Sequence, residues 1–213
     1  MNQEDSELDI EMMSRFVIES DAIEGLTANP EMVGKELRFD YNEGHVGALL
    51  LLDKMAKNRQ HLTHEVIQDV QGLITAEQTT KGGEMLPSEY VGRYRPVGVR
   101  VGGRVCPPPH MVWPLMAKWL EDTNKWLSTT KDMSDARKIE KISDLHFDYE
   151  FVHPFADGNG RSGRAIVYYL MIYTGLKPFV FTSKDRFHTY YPAFKSHERM
   201  QEYFRSKTKG VSV

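Results

Sequence analysis

Apolar positions recur at three- and four-residue intervals over most of the chain, the spacing of one buried helix face. Leu8, Met12, Met13, Phe16, Val17 and Ile23 form one such stripe near the N-terminus, closed by Gly25. Val46, Leu49 and Leu50 form a second, with Asp53 on the same face. Ile139, Ile142, Leu145, Tyr149 and Val152 form a third, opened by Ser134 at an N-cap position. From Ala165 to Tyr173 the chain is apolar almost all round, as in a helix at the centre of a bundle, and Gly175 supplies its C-terminal cap. With start signals at Asn29-Pro30 and Thr63, the pattern predicts helices at about 30–39, 42–58, 64–75, 110–127, 134–152, 160–174 and 184–204. One stretch alternates instead. Val97, Val99 and Val101 precede Gly102-Gly103, which reads as a short β-hairpin, and Cys106-Pro107-Pro108-Pro109 breaks the chain after it. Glu77 to Ser88, with Lys81-Gly82-Gly83, reads as an exposed loop leading into the hairpin. The expected fold class is all-α with that one hairpin.

Between the third stripe and the central helix lies the run His153-Pro154-Phe155-Ala156-Asp157-Gly158-Asn159-Gly160-Arg161-Ser162-Gly163-Arg164. A residue before proline is pushed out of the α region, so the preceding helix should end near His153. Asp157 to Arg161 then becomes a loop feeding a helix N-terminus, where unpaired N–H groups and the helix dipole favour an anion. Gly158 and Gly160 let the backbone approach a phosphate, and Arg161 and Arg164, three residues apart, project toward the same anion. Asp157 suits Mg²⁺, which takes one or two carboxylates plus phosphates and water. A histidine's ordinary pKa of about 6.5 suits it to accept a proton at neutral pH. A Gly-x-Gly before a helix is more often a plain turn, and an isolated His at a helix end is more often a cap. The company of His, Asp, Asn and two Arg makes both plain readings the weaker ones.

These residues resemble the signature of the Fic family (filamentation induced by cyclic AMP), His-x-Phe-x-Asp/Glu-Gly-Asn-Gly-Arg-x-x-Arg, with every defined position filled. The resemblance runs from about Leu8 to Phe204. It implies a mostly helical Fic fold with the hairpin as a flap over the active site, and transfer of AMP from ATP to a Ser, Thr or Tyr hydroxyl of a target protein. By the resemblance, His153 is the general base, Phe155 a buried anchor and Asp157 the Mg²⁺ ligand. Gly158, Asn159 and Gly160 form the anion hole, and Arg161 and Arg164 contact the β- and γ-phosphates. Val99, Arg100 and Val101 lie on the flap that would hold the target by strand-like pairing. Ser20-Asp21-Ala22-Ile23-Glu24-Gly25 resembles the family's inhibitory motif in the class that carries it N-terminal to the core. Ser20 and Glu24 share a helix face, and Glu24 would pair with Arg164 and force ATP into an unproductive pose. An anion in a helix's last turn is disfavoured by the dipole, which a cationic partner would offset. Tyr190 and Tyr191 resemble a family Tyr-Tyr stretch near the base pocket and are candidate base contacts. Some relatives carry an Asn about two turns later for the adenine edge, where this chain has Glu198. The implied domains are an inhibitory helix over 1–28, a catalytic domain over 29–205 and a flexible tail over 206–213.

Composition narrows the alternatives. A chain of 213 residues that is 40% hydrophobic, with three Trp, ten Tyr and ten Phe, supports one substantial core. A formal charge of −3, from 27 Lys and Arg against 30 Asp and Glu, is not that of a nucleic-acid surface. The sequence holds no apolar run long enough to span a bilayer, its start is polar and acidic, unlike a signal peptide, and its one cysteine, Cys106, precludes an internal disulfide. The expectation is a cytoplasmic protein using ATP and Mg²⁺, without nucleic-acid or membrane partners, and compatible with self-modification and homo-oligomers. His61 and His64 have metal spacing, but no third ligand accompanies them. Two further readings stand beside AMP transfer: a hydrolase removing AMP at the same site, and a non-catalytic nucleotide-sensing or partner-binding module.

Overall fold

The structure, a computed structural model, describes residues 3–39, 41–76 and 85–208, with side-chain surroundings from residue 9 onward. Leu8's side chain and the predicted loop around Lys81-Gly82-Gly83 lie outside the described residues.

Helix α1 spans Gln3–Ile23, α2 Pro30–Arg38, α3 Gly44–Lys57 and α4 His64–Thr75. Strands β1 (Arg100–Val101) and β2 (Arg104–Val105) follow, then α5 (Pro109–Leu127), α6 (Asp135–Val152) and α7 (Asn159–Tyr173). The local signals act as expected at most ends. Asn29 accepts hydrogen bonds from the N–H groups of Glu31 and Met32, and Thr63 from that of Val66. Gly25 is left-handed (φ 80°), with Gly25 N–H on Ala22 O and Leu26 N–H on Asp21 O, the paired bonds of a Schellman cap. That motif makes Glu24 the last residue of the α1 cap. Ser134 sits at its N-cap position with extended angles but makes no side-chain cap bond.

α7 forms the axis of the bundle. All of its residues except Gly160 and Ile172 are buried, against α3 on one side and α6 on the other. α1 belongs to the same core through Phe16, Val17 and Ile23. The hairpin pairs Arg100 with Val105 and Val101 with Arg104, and its turn residues Gly102 (φ 54°) and Gly103 (φ 86°) both need positive φ, as a two-residue hairpin turn requires.

The predicted helix over 184–204 is broken. Ser183–Asp185 is a 3₁₀ turn, Arg186–Tyr190 a π-helical turn, α8 covers only Tyr191–Ala193, and α9 runs from His197 to Thr208. Pro192 explains the break, since it lacks an N–H and its ring crowds the carbonyl four residues back, which a widened turn relieves. Ser196 restarts the chain as a helix by accepting the N–H of Arg199 at 3.3 Å. α9 also carries 206–208 in helix, with the Ser206 and Thr208 hydroxyls bonded to backbone carbonyls, so the predicted tail does not begin at 206.

Candidate active site

The six-residue link between α6 and α7 is held from several sides. His153 caps α6 in a left-handed conformation (φ 50°, ψ 64°) while its N–H stays on Tyr149 O, so the chain turns sharply at Pro154. Phe155 is fully buried, and the Asn159 amide clamps its backbone, with Oδ1 accepting Phe155 N–H at 2.8 Å and Nδ2 donating to Phe155 O at 2.9 Å. Asn159's side chain is therefore spent on holding the loop, and only its backbone N–H remains for the predicted anion hole. Gly158 (φ 81°) lies so close to α4 that a Cβ there would stand 2.8 Å from Thr75 Cγ2. Buried Gln71 on α4 bridges the loop and the segment before the hairpin, donating to Asp157 O at 3.1 Å and accepting Gly92 N–H at 2.6 Å.

The C-terminus of α6 has a second set of partners that sequence reasoning missed. Its last carbonyls have no intrahelical donor. Arg104 of the hairpin donates to Glu150 O and Phe151 O, each at 3.1 Å. Buried Arg95 donates to Val152 O at 3.3 Å and His153 O at 2.7 Å. Arg95 also bonds Val97 O and Pro107 O, on the two roots of the hairpin. Two arginines thus join the flap to the helix that carries His153, at the end where the dipole favours cations.

At the start of α7, the N–H groups of Asn159 and Gly160 have no intrahelical acceptor. Arg161 and Arg164 are both buried. Arg164 donates from Nε to Ser20 Oγ at 2.9 Å, and from Nη2 to Ser20 O at 2.9 Å and Glu24 Oε1 at 2.8 Å. Glu24's carboxylate stands directly over Gly160, where a Cβ would collide with its Oε1. Burial alone would weaken Arg164's charge, but Tyr190 and Glu24 offset this and hold its pKa above the ordinary arginine value. Burial pushes Arg161 down, opposed by Asp21, Asp157 and Glu24. Asp21, one turn before Glu24, bonds His45 Nδ1 at 2.9 Å. Burial would raise its carboxyl, and His45, Arg161 and Arg164 bring it below the usual range. A carboxylate of the chain itself thus stands at the candidate anion site.

Asp157 Oδ1 accepts Gly158 N–H at 2.6 Å. Among the described residues no cluster of three or more His, Cys, Asp or Glu could hold a metal unaided. A single carboxylate beside a phosphate site fits Mg²⁺, which draws its other ligands from phosphates and water.

The two predicted base contacts part ways, and Tyr190 is corrected. Tyr190 is 1% exposed, shares a 2.9 Å hydrogen bond with His146 Nε2 and packs among Phe181, Phe194 and Tyr203, so it presents no face to a nucleotide. Burial pushes that histidine down to about 4, which keeps it neutral. Tyr191 is the accessible member of the pair, 36% exposed beside Arg186. Glu198 is an exposed first-turn residue of α9, where the Ser196 hydroxyl holds its carboxyl below the usual range. On the flap, Arg100 and Val101 are exposed and Val99 is half-buried. His64 stacks on Trp113 (centroids 4.1 Å apart) and bonds the Tyr94 hydroxyl, while His61 lies beside Tyr173.

What these features define is a helical protein whose candidate site is one interhelical loop, with a histidine at the end of one core helix and an anion nest at the start of the next. Residues 61–171 match the model of the Fic/DOC family, and the chain belongs to that family. It is 34% identical over 100 residues to "Protein adenylyltransferase Fic" of Nematostella vectensis, covering 47% of this chain and 22% of that protein. It is 28% identical over 161 residues to "Protein adenylyltransferase fic-1" of Caenorhabditis briggsae, covering 72% and 28%. The matches thus span about a quarter of these curated relatives' length. The fold is shared with a Fic-domain-containing signaling protein of Bacteroides thetaiotaomicron, at a TM-score of 0.71 and 21% identity, over 100% of this chain and 94% of that one. It is shared also with Fic-1 of C. elegans, at 0.63 and 20%, over 92% and 60%.

Proposed function

We propose that the protein is an adenylyltransferase that moves AMP from ATP to a hydroxyl of a target protein, and that Glu24 restrains it. The target hydroxyl gives its proton to His153 Nε2 as its oxygen attacks the α-phosphorus, and pyrophosphate leaves. The α7 N-terminus, Arg161 and Arg164 stabilise the charge that develops on the phosphate oxygens, the dominant need in such transfers. Asp157 would hold Mg²⁺, which would supply positive charge against the phosphates. The flap around Val99, Arg100 and Val101 offers an edge to an extended target segment, which reads backbone more than side chain. The observation that carries the inhibition is Glu24's carboxylate on Arg164 and over Gly160, where a terminal phosphate would otherwise go. Self-modification, protein targets and a reducing compartment such as the cytoplasm fit this reading.

The test compares wild type, Glu24→Gly and His153→Ala with α-³²P-ATP and γ-³²P-ATP in a lysate with Mg²⁺. Label from the α-phosphate alone, strongest in Glu24→Gly and absent in His153→Ala, is the expected result. Label from the γ-phosphate would mean kinase chemistry. No label from either would favour AMP removal, with Glu24 orienting water, or a non-catalytic nucleotide sensor.

A further inference from the structure

Glu150 lies three residues before His153 on the same face of α6 and is almost enclosed, with its side chain 11% exposed. Its Oε2 stands 3.4 Å from His153 Nδ1. Its Oε1 is directed onto Gly163 of α7, where a Cβ would collide with it. Neither Glu150 Oε1 nor His153 Nδ1 makes a hydrogen bond among the described residues. A carboxylate taken out of water with one oxygen unsatisfied is costly unless a cation or donor completes it. The histidine ring beside Oε2 can donate Nδ1–H to that oxygen, and it becomes a cation when Nε2 takes a proton. Long contacts of this kind in a resting site tighten when the reacting complex forms.

We propose that Glu150 is a positioning residue for His153. Its carboxylate accepts Nδ1–H, which selects the tautomer that leaves Nε2 free to take the target's proton, and it stabilises the imidazolium that results. The inference rests on the adenylyl-transfer reading for its catalytic consequence, though not for the tautomer itself. The proton leaves the target oxygen for Nε2, while Glu150 stays ionised and takes none. The surroundings agree. Burial would raise the Glu150 carboxyl, but His153, His146 and Arg164 bring it below the ordinary range. The other charged or titratable groups facing the pair behave as fixed partners. His146 is neutral, Arg164 and Arg95 are permanent cations, and burial keeps the Tyr149 phenol protonated. Gly163 is then explained as the residue that makes room for the carboxylate.

The test reads the ring directly by ¹⁵N NMR of histidine-labelled protein, with the His153 signals assigned by their loss in His153→Ala. Wild type at neutral pH should show the Nδ1–H tautomer, and Glu150→Leu, which offers no acceptor, should lose that preference. In a Glu24→Gly background, Glu150→Gln should lower kcat about tenfold or more with ATP affinity unchanged within about twofold, a split expected when only transition-state stabilisation is lost. It should also move the acid limb of the pH–rate profile to lower pH, because a base without its carboxylate is weaker. An Nε2–H tautomer in wild type would overturn the proposal with no variant needed. So would an unmoved acid limb in Glu150→Gln. If Glu24→Gly transfers no AMP at all, the adenylyl-transfer reading fails, while the tautomer measurement still decides the role of Glu150.

Discussion

Replacing Glu24 tests restraint and packing together, because the two have opposite signs. Among the described residues the hydrogen bonds from Arg164 reach Ser20 Oγ, Ser20 O and Glu24 Oε1, and of these only Glu24 Oε1, at 2.8 Å, is a carboxylate oxygen. A hydrogen bond between charged partners contributes about 1.5–3 kcal/mol. Glu24's side chain is 27% exposed while that of Arg164 is 1% exposed, so solvent screening argues for the lower end, about 1.5 kcal/mol. Glu24→Gln keeps the shape and removes the charge, and Glu24→Gly removes both. If ATP must displace this contact to bind productively, freeing it lowers the barrier by the same amount. At about 1.4 kcal/mol per decade, that is a rise of about tenfold in AMP transfer. The same loss should lower Tm by about 3–6 °C in a chain of this size. Arg164 keeps both Ser20 oxygens, so the buried cation is not left bare. The assay is the initial rate of label incorporation from α-³²P-ATP, run beside calorimetric melting. A lowered Tm with an unchanged rate would refute the reasoning, because Glu24 would then hold α1 in place without touching the reaction.

Asp21→Asn should destabilise the protein by about 1–3 kcal/mol, since it removes His45's charged partner and an anion facing Arg161 and Arg164. The Asp21 carboxyl is depressed in the fold, so its contribution is complete above its ordinary value of 3.8 and is lost as pH falls through the lower folded value. Wild type should therefore lose stability relative to Asp21→Asn only in that acid window, measured by denaturant melts against pH. Arg95→Met should cost about 3 kcal/mol or more, because the carbonyls at Val97, Pro107, Val152 and His153 all lose a donor. Limited proteolysis should find new cleavage between 97 and 107 in that variant, and an unchanged cleavage pattern would count against the clamp.

Local chemistry was legible in the residues themselves, whereas of the long-range pairs only Glu24–Arg164 was foreseen, and that through the family resemblance. Caps at Asn29, Thr63, Gly25 and Gly175 act within a few residues, and the all-round apolar run after Ala165 can only be a central helix, so these elements follow from spacing. The break at Pro192 was legible in principle, since a proline inside a helical pattern is a recognised stop. Glu150 also carried a signal, three residues before a histidine already singled out. Arg95 carried none, because an arginine whose partners are four carbonyls leaves no charge pattern in the sequence. Tyr190 and Tyr191 are neighbours of the same residue type with opposite exposures. Only the π turn decides which of the two faces the core.

The packing of α1 limits how Glu24 can ever leave Arg164. Lifting the whole helix would expose Met13, Phe16, Val17 and Ile23, each no more than 5% exposed in the fold. Each such side chain is worth about 1.5–3 kcal/mol of burial, so the lift costs about 6 kcal/mol at the least. That is several times the roughly 1.5 kcal/mol that holds Glu24 to Arg164. Rotating the Glu24 side chain, or opening the last turn at Gly25, breaks the ion pair and leaves the core intact. If Glu24 restrains the site as proposed, its relief is a movement of the cap that leaves the helix in its seat. Deleting residues 1–25 should accordingly not mimic Glu24→Gly. The truncated chain should melt far lower or fail to fold, with circular dichroism and melting as the readouts. A truncated protein that stays folded with the wild-type Tm and transfers AMP as fast as Glu24→Gly would overturn the argument.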